Sequence, residues 1–349
     1  MKNNITIKTK KAFSLLEVIF VMVILGIVAS ISSQIIAQVY ENYIMQRAVY
    51  NVSTKTELVA NQIVNRLTYR IQGSTISKRH KKFLTRSNKI KIGEAGADIN
   101  NSDWLPLADI PVGNIYTSIE WIGYDNDSFA ANLLPNWSGI ANYENSNINS
   151  FSTPGSTLSN VATIMNNLSN KKVALTNDKP AAVLFAHNNN FYSDRNEYNP
   201  LCMGLIPELG TSTTSCIFPV HRNGTDDSLT FTRNKDSNFA PLQPKIITER
   251  YKLAWSAYAI APEDPDNDGL FDLVLYSNYQ PWNNESYIQN GTRSILMKNV
   301  TVFKFTESGG VINFKLCAAE KISNDFNVTT CKQKVVIRWW LNVKKLFPW

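Results

Sequence analysis

From Val18 to Tyr40 the chain carries 23 consecutive residues without a charge, most of them Val, Ile, Leu, Phe or Met. About 20 such residues cross a bilayer as a helix, and only there does one segment satisfy all its own backbone polar groups in hydrocarbon. The fold must therefore include a long apolar helix. Lys2, Lys8, Lys10 and Lys11 precede the run and Glu41 follows it. That asymmetry places the amino terminus in the cytoplasm and the rest of the chain beyond the membrane. A cleaved export signal fits less well, because its apolar part spans about 7–15 residues and ends in a small-x-small site. The best such site, at Ala29, has Ile27 where a small residue belongs.

Glu17 stands just inside this segment. A charged side chain costs about 2.5–3.5 kcal/mol near the centre of a membrane helix and less near its end. A plain anchor leaves it unexplained. If the chain is cut between Ala12 and Phe13, Phe13 gains an α-amino group that is largely protonated at neutral pH. Glu17 then lies one helical turn in, where it can meet the amine of a staggered neighbour. In a low dielectric that attraction is strong, and an unpaired charge is penalised.

The basic leader, the small residue before Phe13, the run FSLLEVIFVMVILGIVA, and Glu17 and Gly26 within it resemble the amino terminus of type IV prepilins and pseudopilins. The resemblance implies cleavage after Ala12 by a prepilin peptidase, N-methylation of Phe13 and packing of this helix in a fibre core, with Glu17 acting in assembly. Two positions depart from the pattern. Ala12 stands where the family nearly always has Gly, and Gln34 replaces the Pro often found in major pilins, so no kink is expected there.

Beyond the membrane segment, Met45, Val49, Val52, Thr56, Val59, Ile63, Leu67 and Ile71 recur at steps of three and four, with charged residues between them. That is one apolar stripe on an amphipathic helix. A helix from Ser14 to Gln72 would be roughly 90 Å long. The expected organisation is a leader at 1–12, a transmembrane and fibre-core helix at 13–40 and its amphipathic continuation at 41–73. A loop-rich, partly β insertion follows at 74–227 and an antiparallel β-sheet region at 228–349. Within the insertion, IYTSIEWIG and AAVLFAH read as strands. From Ser228 onward SLTFTR, ERYKLAWSAYAI, FDLVLYSNY, SILMKNVTVFKF, GVINFKLCA and KQKVVIRWWLNV alternate as successive strands. Strands without intervening helices imply an antiparallel sheet, and one long helix packed on it gives an α+β, pilin-like fold. This order is similar to the J-type minor pseudopilins of type II secretion and to PilW-like minor pilins.

The chain is 44 % hydrophobic and 18 % charged, a globular composition rather than a disordered one. Four of the lysines behind its net charge of +7 lie in residues 1–12, so no nucleic-acid partner is expected. The basic run SKRHKKFLTRSNKIK reads as a solvated loop, with contact to anionic lipid or nucleic acid as the alternative. Cys202, Cys216, Cys317 and Cys331 form two C-x13-C pairs without the C-x2-C knuckle of structural zinc. Beyond an export-like amino terminus they point to two local disulfides, Cys202–Cys216 and Cys317–Cys331, among three possible connectivities. Free thiols are the alternative.

The sharpest site motif is DPDNDGLFD. Asp264, Asp266 and Asp268 alternate, Gly269 permits a turn, Leu270 offers its carbonyl and Asp272 stands at the ninth place. Calcium takes six to eight oxygens, so this loop is a candidate Ca2+ site that lacks the Glu of a full EF-hand. An ion-free acidic turn is the alternative. Asp325-Phe326-Asn327-Val328-Thr329 fits an acidic glycosylation sequon that chance also supplies in so Asn-rich a chain.

Nothing points to an enzyme. Only His80, His187 and His221 occur, without a nucleophile elbow, a zinc-binding helix motif or a phosphate loop. His221 beside Asp226 and Asp227 reads as structural, and the tryptophans as core. The expectation is a minor pilin or pseudopilin of a type II secretion pseudopilus or type IV pilus that initiates or caps assembly. It would lie in the inner membrane with a periplasmic head, then in a fibre at the cell surface. Its partners would be the prepilin peptidase, other pilins, the assembly platform and lipid. A fibre-tip adhesin binding through residues 98–180, or a competence pseudopilin, are the alternatives.

Overall fold

The computed structural model describes residues 14–71, 73–79, 104–109, 116–185, 202–205, 216–232, 247–263, 270–322 and 327–337. Helix α1 runs Leu15–Thr68, 54 residues, or about 80 Å at 1.5 Å per residue. Ser14 caps it, its hydroxyl accepting from the Glu17 backbone N–H at 3.3 Å. At the other end the buried Arg70 guanidinium donates to the Leu67 carbonyl at 2.8 Å and to Gly310 O at 2.6 Å. The guanidinium thereby adds to the Arg70 backbone N–H, which donates to the same helix-end carbonyl at 3.2 Å.

The strands are β1 (Ile76–Arg79), β2 (Trp104–Pro106), β3 (Tyr116–Gly123), β4 (Ser150–Ser152), β5 (Ala181–Phe185), β6 (Phe218–Arg222) and β7 (Ser228–Phe231). They continue with β8 (Tyr251–Ala254), β9 (Ser256–Glu263), β10 (Phe271–Tyr279), β11 (Thr292–Ser308), β12 (Val311–Lys321) and β13 (Asn327–Val336). Short helices α2 (Asn126–Phe129) and α4 (Tyr287–Asn290) and the longer α3 (Leu158–Leu168) lie between them. An eight-stranded antiparallel sheet has the order β13-β12-β11-β10-β9-β3-β1-β2, and a five-stranded one the order β4-β7-β6-β5-β8.

Helix α1 covers one face of the larger sheet. Val52, Val59, Ile63 and Leu67 share a core with Ile260, Leu273, Leu275, Phe305, Phe314 and Leu316. Alternate residues of the same strands, Ala259, Ala261, Val274 and Tyr276, join a second core with Val183, Phe185, Leu253 and Phe231 of the smaller sheet. β9 and β10 are thus buried on both faces, which is why they read as near-continuous apolar runs. Each fully buried side chain of this kind contributes about 1.5–3 kcal/mol.

The α+β architecture is the expected one, a long helix on an antiparallel sheet, with three corrections. The boundary at residue 228 falls between β6 and β7, neighbours in one sheet, while β1, β2 and β3 from the supposed insertion belong to the helix-packed sheet. Pairing across large sequence separations, such as Ile119 with Ile260, leaves no local mark in the sequence. The apolar stripe is covered only from Ala48 onward; Met45 and Val49 are 41 % and 42 % exposed. Sequence alternation also starts the last strand late, since β13 begins at Asn327 and already pairs with Lys321.

Both disulfides join sequence neighbours, Cys202–Cys216 and Cys317–Cys331. The second directly bridges paired residues of β12 and β13. Each closes a loop of separation 14, which constrains the unfolded chain by about 3 kcal/mol in the chain-entropy account.

Candidate functional site: the apolar helix and its junction with the head

Among the described residues nothing covers the first half of α1. Leu16, Phe20, Met22, Leu25 and Ile36 are each more than half exposed, and they point in every direction around the helix. A helix apolar on all sides is stable only in lipid or among other helices. Its membrane-spanning window, the only candidate span among the described residues, has a mean hydropathy of 2.6 and none of it is buried. Gly26 sits within it with no heavy atom inside 4 Å of where a Cβ would stand. Glycine in a helix interior costs about 1 kcal/mol relative to Ala, and no neighbour among the described residues makes use of it. Small residues at such positions let a second helix approach closely.

Glu17 lies in the first turn, exposed, with no ion-pair partner among the described residues. Its position near the positive helix end favours an anion. Ala12 and Phe13, the expected cleavage and methylation positions, lie outside the described residues.

Where α1 enters the head the charges are paired. Glu57 takes Lys334 and, at 3.7 Å, Lys332, both on β13. The hydrogen bond from Lys334, with the two positive charges, holds the Glu57 carboxyl below the usual carboxylate range. Lys55 faces Glu320 at 3.8 Å, and the Arg66 guanidinium lies 5.2 Å over the Tyr258 ring. These exposed pairs each contribute little, but together they fix which face of the helix meets the sheet.

Of the calcium candidates, Asp264, Asp266 and Asp268 lie outside the described residues. Leu270 immediately precedes β10, and Asp272 is buried and pairs with Glu263 of β9. The motif therefore occupies the β9–β10 hairpin connection. Among the described residues no group of three or more His, Cys, Asp or Glu is placed to hold a metal. His80 and His187 are outside the described residues. His221 Nδ1 is 2.9 Å from Thr232 Oγ1, and burial pushes its pKa down. Asp226 accepts from Ser159 N at 2.8 Å and pairs with Arg222 at 3.0 Å, so the two groups serve separate structural ends. Trp121, Trp137, Trp255 and Trp282 are buried. In the sequon, Asn327 and Thr329 are exposed at the start of β13, and Asp325 and Phe326 lie outside the described residues.

One group that the sequence did not single out is Asp125. It follows β3 and is 2 % exposed. Its backbone N–H donates to Leu253 O of β8 at 2.7 Å, and its carbonyl accepts from Trp137 Nε1 at 3.1 Å. Its carboxylate caps α2, accepting from Ser128 N at 3.1 Å and from the Ser128 hydroxyl. The residue thus ties the larger sheet to the smaller. Burial pushes its carboxyl up from the usual 3.8 to about 7, against the opposing pull of the Ser128 N–H and the Trp255 and Trp137 indoles and with added repulsion from Asp127. The local signal, Asp three residues before Ser128, is an ordinary helix-capping pattern and carries no hint of burial.

Residues 7–33 match the prokaryotic N-terminal methylation motif. No curated protein and no solved structure matches the chain.

Proposed function

We propose that this chain, whose amino-terminal segment is that of the type IV pilin and pseudopilin family, is a minor subunit that starts or caps a short fibre. The observation that carries the reading is the uncovered apolar half of α1 with Glu17 in its first turn. In this account prepilin peptidase removes residues 1–12, Phe13 is N-methylated, and the helix anchors the subunit in the inner membrane with its head in the periplasm. On assembly the bilayer around α1 is exchanged for the helices of other subunits, Gly26 permitting close approach. The Glu17 carboxylate of one subunit neutralises the terminal ammonium of the next and sets the stagger, since two opposite charges in hydrocarbon are tolerated only together. The assembly platform and the other pilins are its partners. The reading is tested by replacing Glu17: the subunit should remain in the membrane and leave the fibre.

We also propose that the β9–β10 connection takes Ca2+ through Asp264, Asp266, Asp268 and the Leu270 carbonyl, with Asp272 holding the end of the loop. Its role is to stiffen the hairpin that the Glu263–Asp272 pairing closes. Titration calorimetry of the full chain in detergent should give a Kd of about 10⁻⁴–10⁻³ M, lost in Asp266→Ala. Absence of both binding heat and a shift in thermal midpoint would remove calcium from the account.

A further inference from the structure

The smaller sheet shares its core with the outer sides of β9 and β10, but among the described residues nothing comparable covers β11, β12 and β13. Opposite the helix, these three strands present Val302, Lys304 and Thr306, then Asn313 and Lys315, then Gln333 and Val335. Alternation assigns them to this face, because Phe303, Phe305, Phe314 and Val336 point into the helix core. An antiparallel sheet can turn one face to water, so exposure alone says little.

The pairing says more. Lys304 stands directly across from Lys315, and Lys315 from Gln333. Both lysines are exposed, and neither has an ion-pair partner among the described residues. Like charges directly opposite on a sheet destabilise it. No outward residue of the three strands is Asp or Glu; their acids, Glu307 and Glu320, lie on the helix side, where Glu320 meets Lys55. The register that sets the clash runs through seven consecutive β11–β12 pairs from Val302 to Ser308, the one irregularity lying before them between Val300 and Val302, and the next strand is stapled to β12 by Cys317–Cys331.

We propose that the uncovered face of β11, β12 and β13 is a docking surface for a partner subunit, with Lys304 and Lys315 sharing a carboxylate that the partner supplies. This rests on the reading of the chain as an assembling subunit. A polyanion is a poorer fit, since phosphate chains are met by stripes of many cations, Arg among them. Among the described residues of this face Lys304, Lys315 and Lys321 stand without Arg among β-branched side chains, with Val335 54 % and Ile337 69 % exposed. Exposed apolar side chains beside two like charges without a counter-charge suit one complementary acid on a partner protein.

The test is Lys315→Glu in the full chain, with Lys304 left in place. In detergent the variant should unfold about 2 °C higher than wild type, because an attractive pair replaces a repulsive one. In sheared fibres it should fall about tenfold, because the incoming carboxylate is now repelled. A face that only meets water predicts the first result without the second. In parallel, a carbodiimide applied to wild-type fibres should join Lys304 or Lys315 by an amide, with loss of water, to an Asp or Glu of another subunit, as read by peptide mass spectrometry. Wild-type chain missing from fibres sinks the fibre reading itself. Wild-type chain present, with Lys315→Glu incorporated equally and no such amide, sinks the docking alone.

Discussion

Glu17→Ala is expected to leave the chain fully inserted in the membrane and to deplete it from fibres by about a hundredfold. Insertion is spared because the substitution removes a charge from an apolar segment. Assembly suffers because the neighbour's terminal ammonium loses its partner in hydrocarbon, a cost of about 2.5–3.5 kcal/mol, and every 1.4 kcal/mol is about tenfold in an equilibrium. Glu17→Gln should behave almost as badly, since an amide keeps the hydrogen bond but not the charge, while Glu17→Asp should recover part of the loss. The measurement is the ratio of subunit in sheared fibres to subunit in carbonate-washed membranes. Wild-type ratios in Glu17→Ala would remove charge neutralisation from the account, because among the described residues Glu17 is engaged only through its backbone N–H, by Ser14.

Asp125 gives the largest expected effect on stability. Its folded carboxyl holds a proton up to about 7, where an unfolded one releases it near 3.8. The folded state therefore binds the proton more tightly. Stability is full below the unfolded value, falls as pH rises between the two, and levels off above the folded value. The gap amounts to roughly 4 kcal/mol against the ionised form before relaxation. Asp125→Asn keeps an oxygen for the Ser128 N–H and removes the ionisation. At pH 8 the variant should be more stable than wild type by about 2 kcal/mol, and at pH 4 the two should nearly coincide. Glu285 and Glu307, also pushed up by burial, and Glu57 and Glu263, held down by cationic neighbours, titrate identically in both proteins. Denaturant curves at the two pH values check the difference. An offset independent of pH, or an Asn variant weaker at pH 8, would show that the carboxylate is stabilised in place.

How much of this is legible in the sequence depends on how local the cause is. The helix is written in a charge-free run followed by a three-four stripe, and its observed end at Thr68 lies close to the expected Gln72. β8 to β12 follow alternation or unbroken apolar runs, and the disulfide pairs follow chain proximity. β5, β7 and β8 were also read as strands, but that they join β4 and β6, both missed, in a separate second sheet was not legible. Its strands are short, β4 having 3 residues and β5 having 5, and they find partners across loops rich in Asn and Ser. α3 was missed for a related reason: Asn, Ser and Thr favour other backbone states, and only the burial of Leu158, Val161 and Met165 holds it. Asp125 shows the same limit at the scale of one side chain. Nothing adjacent to it in the chain encloses it; Leu253, Trp255 and Trp137, which do, arrive from elsewhere. Glu17 is the opposite case, because its surroundings are the apolar run itself.

The central claim is that trimming creates the charge Glu17 requires. The mass of the chain recovered from its native membrane tests this most directly, read together with its first tryptic or chymotryptic fragment. The account predicts a polypeptide that begins at Phe13 and carries one added methyl group on its terminal nitrogen. A retained leader, or a first residue other than Phe13, would contradict it.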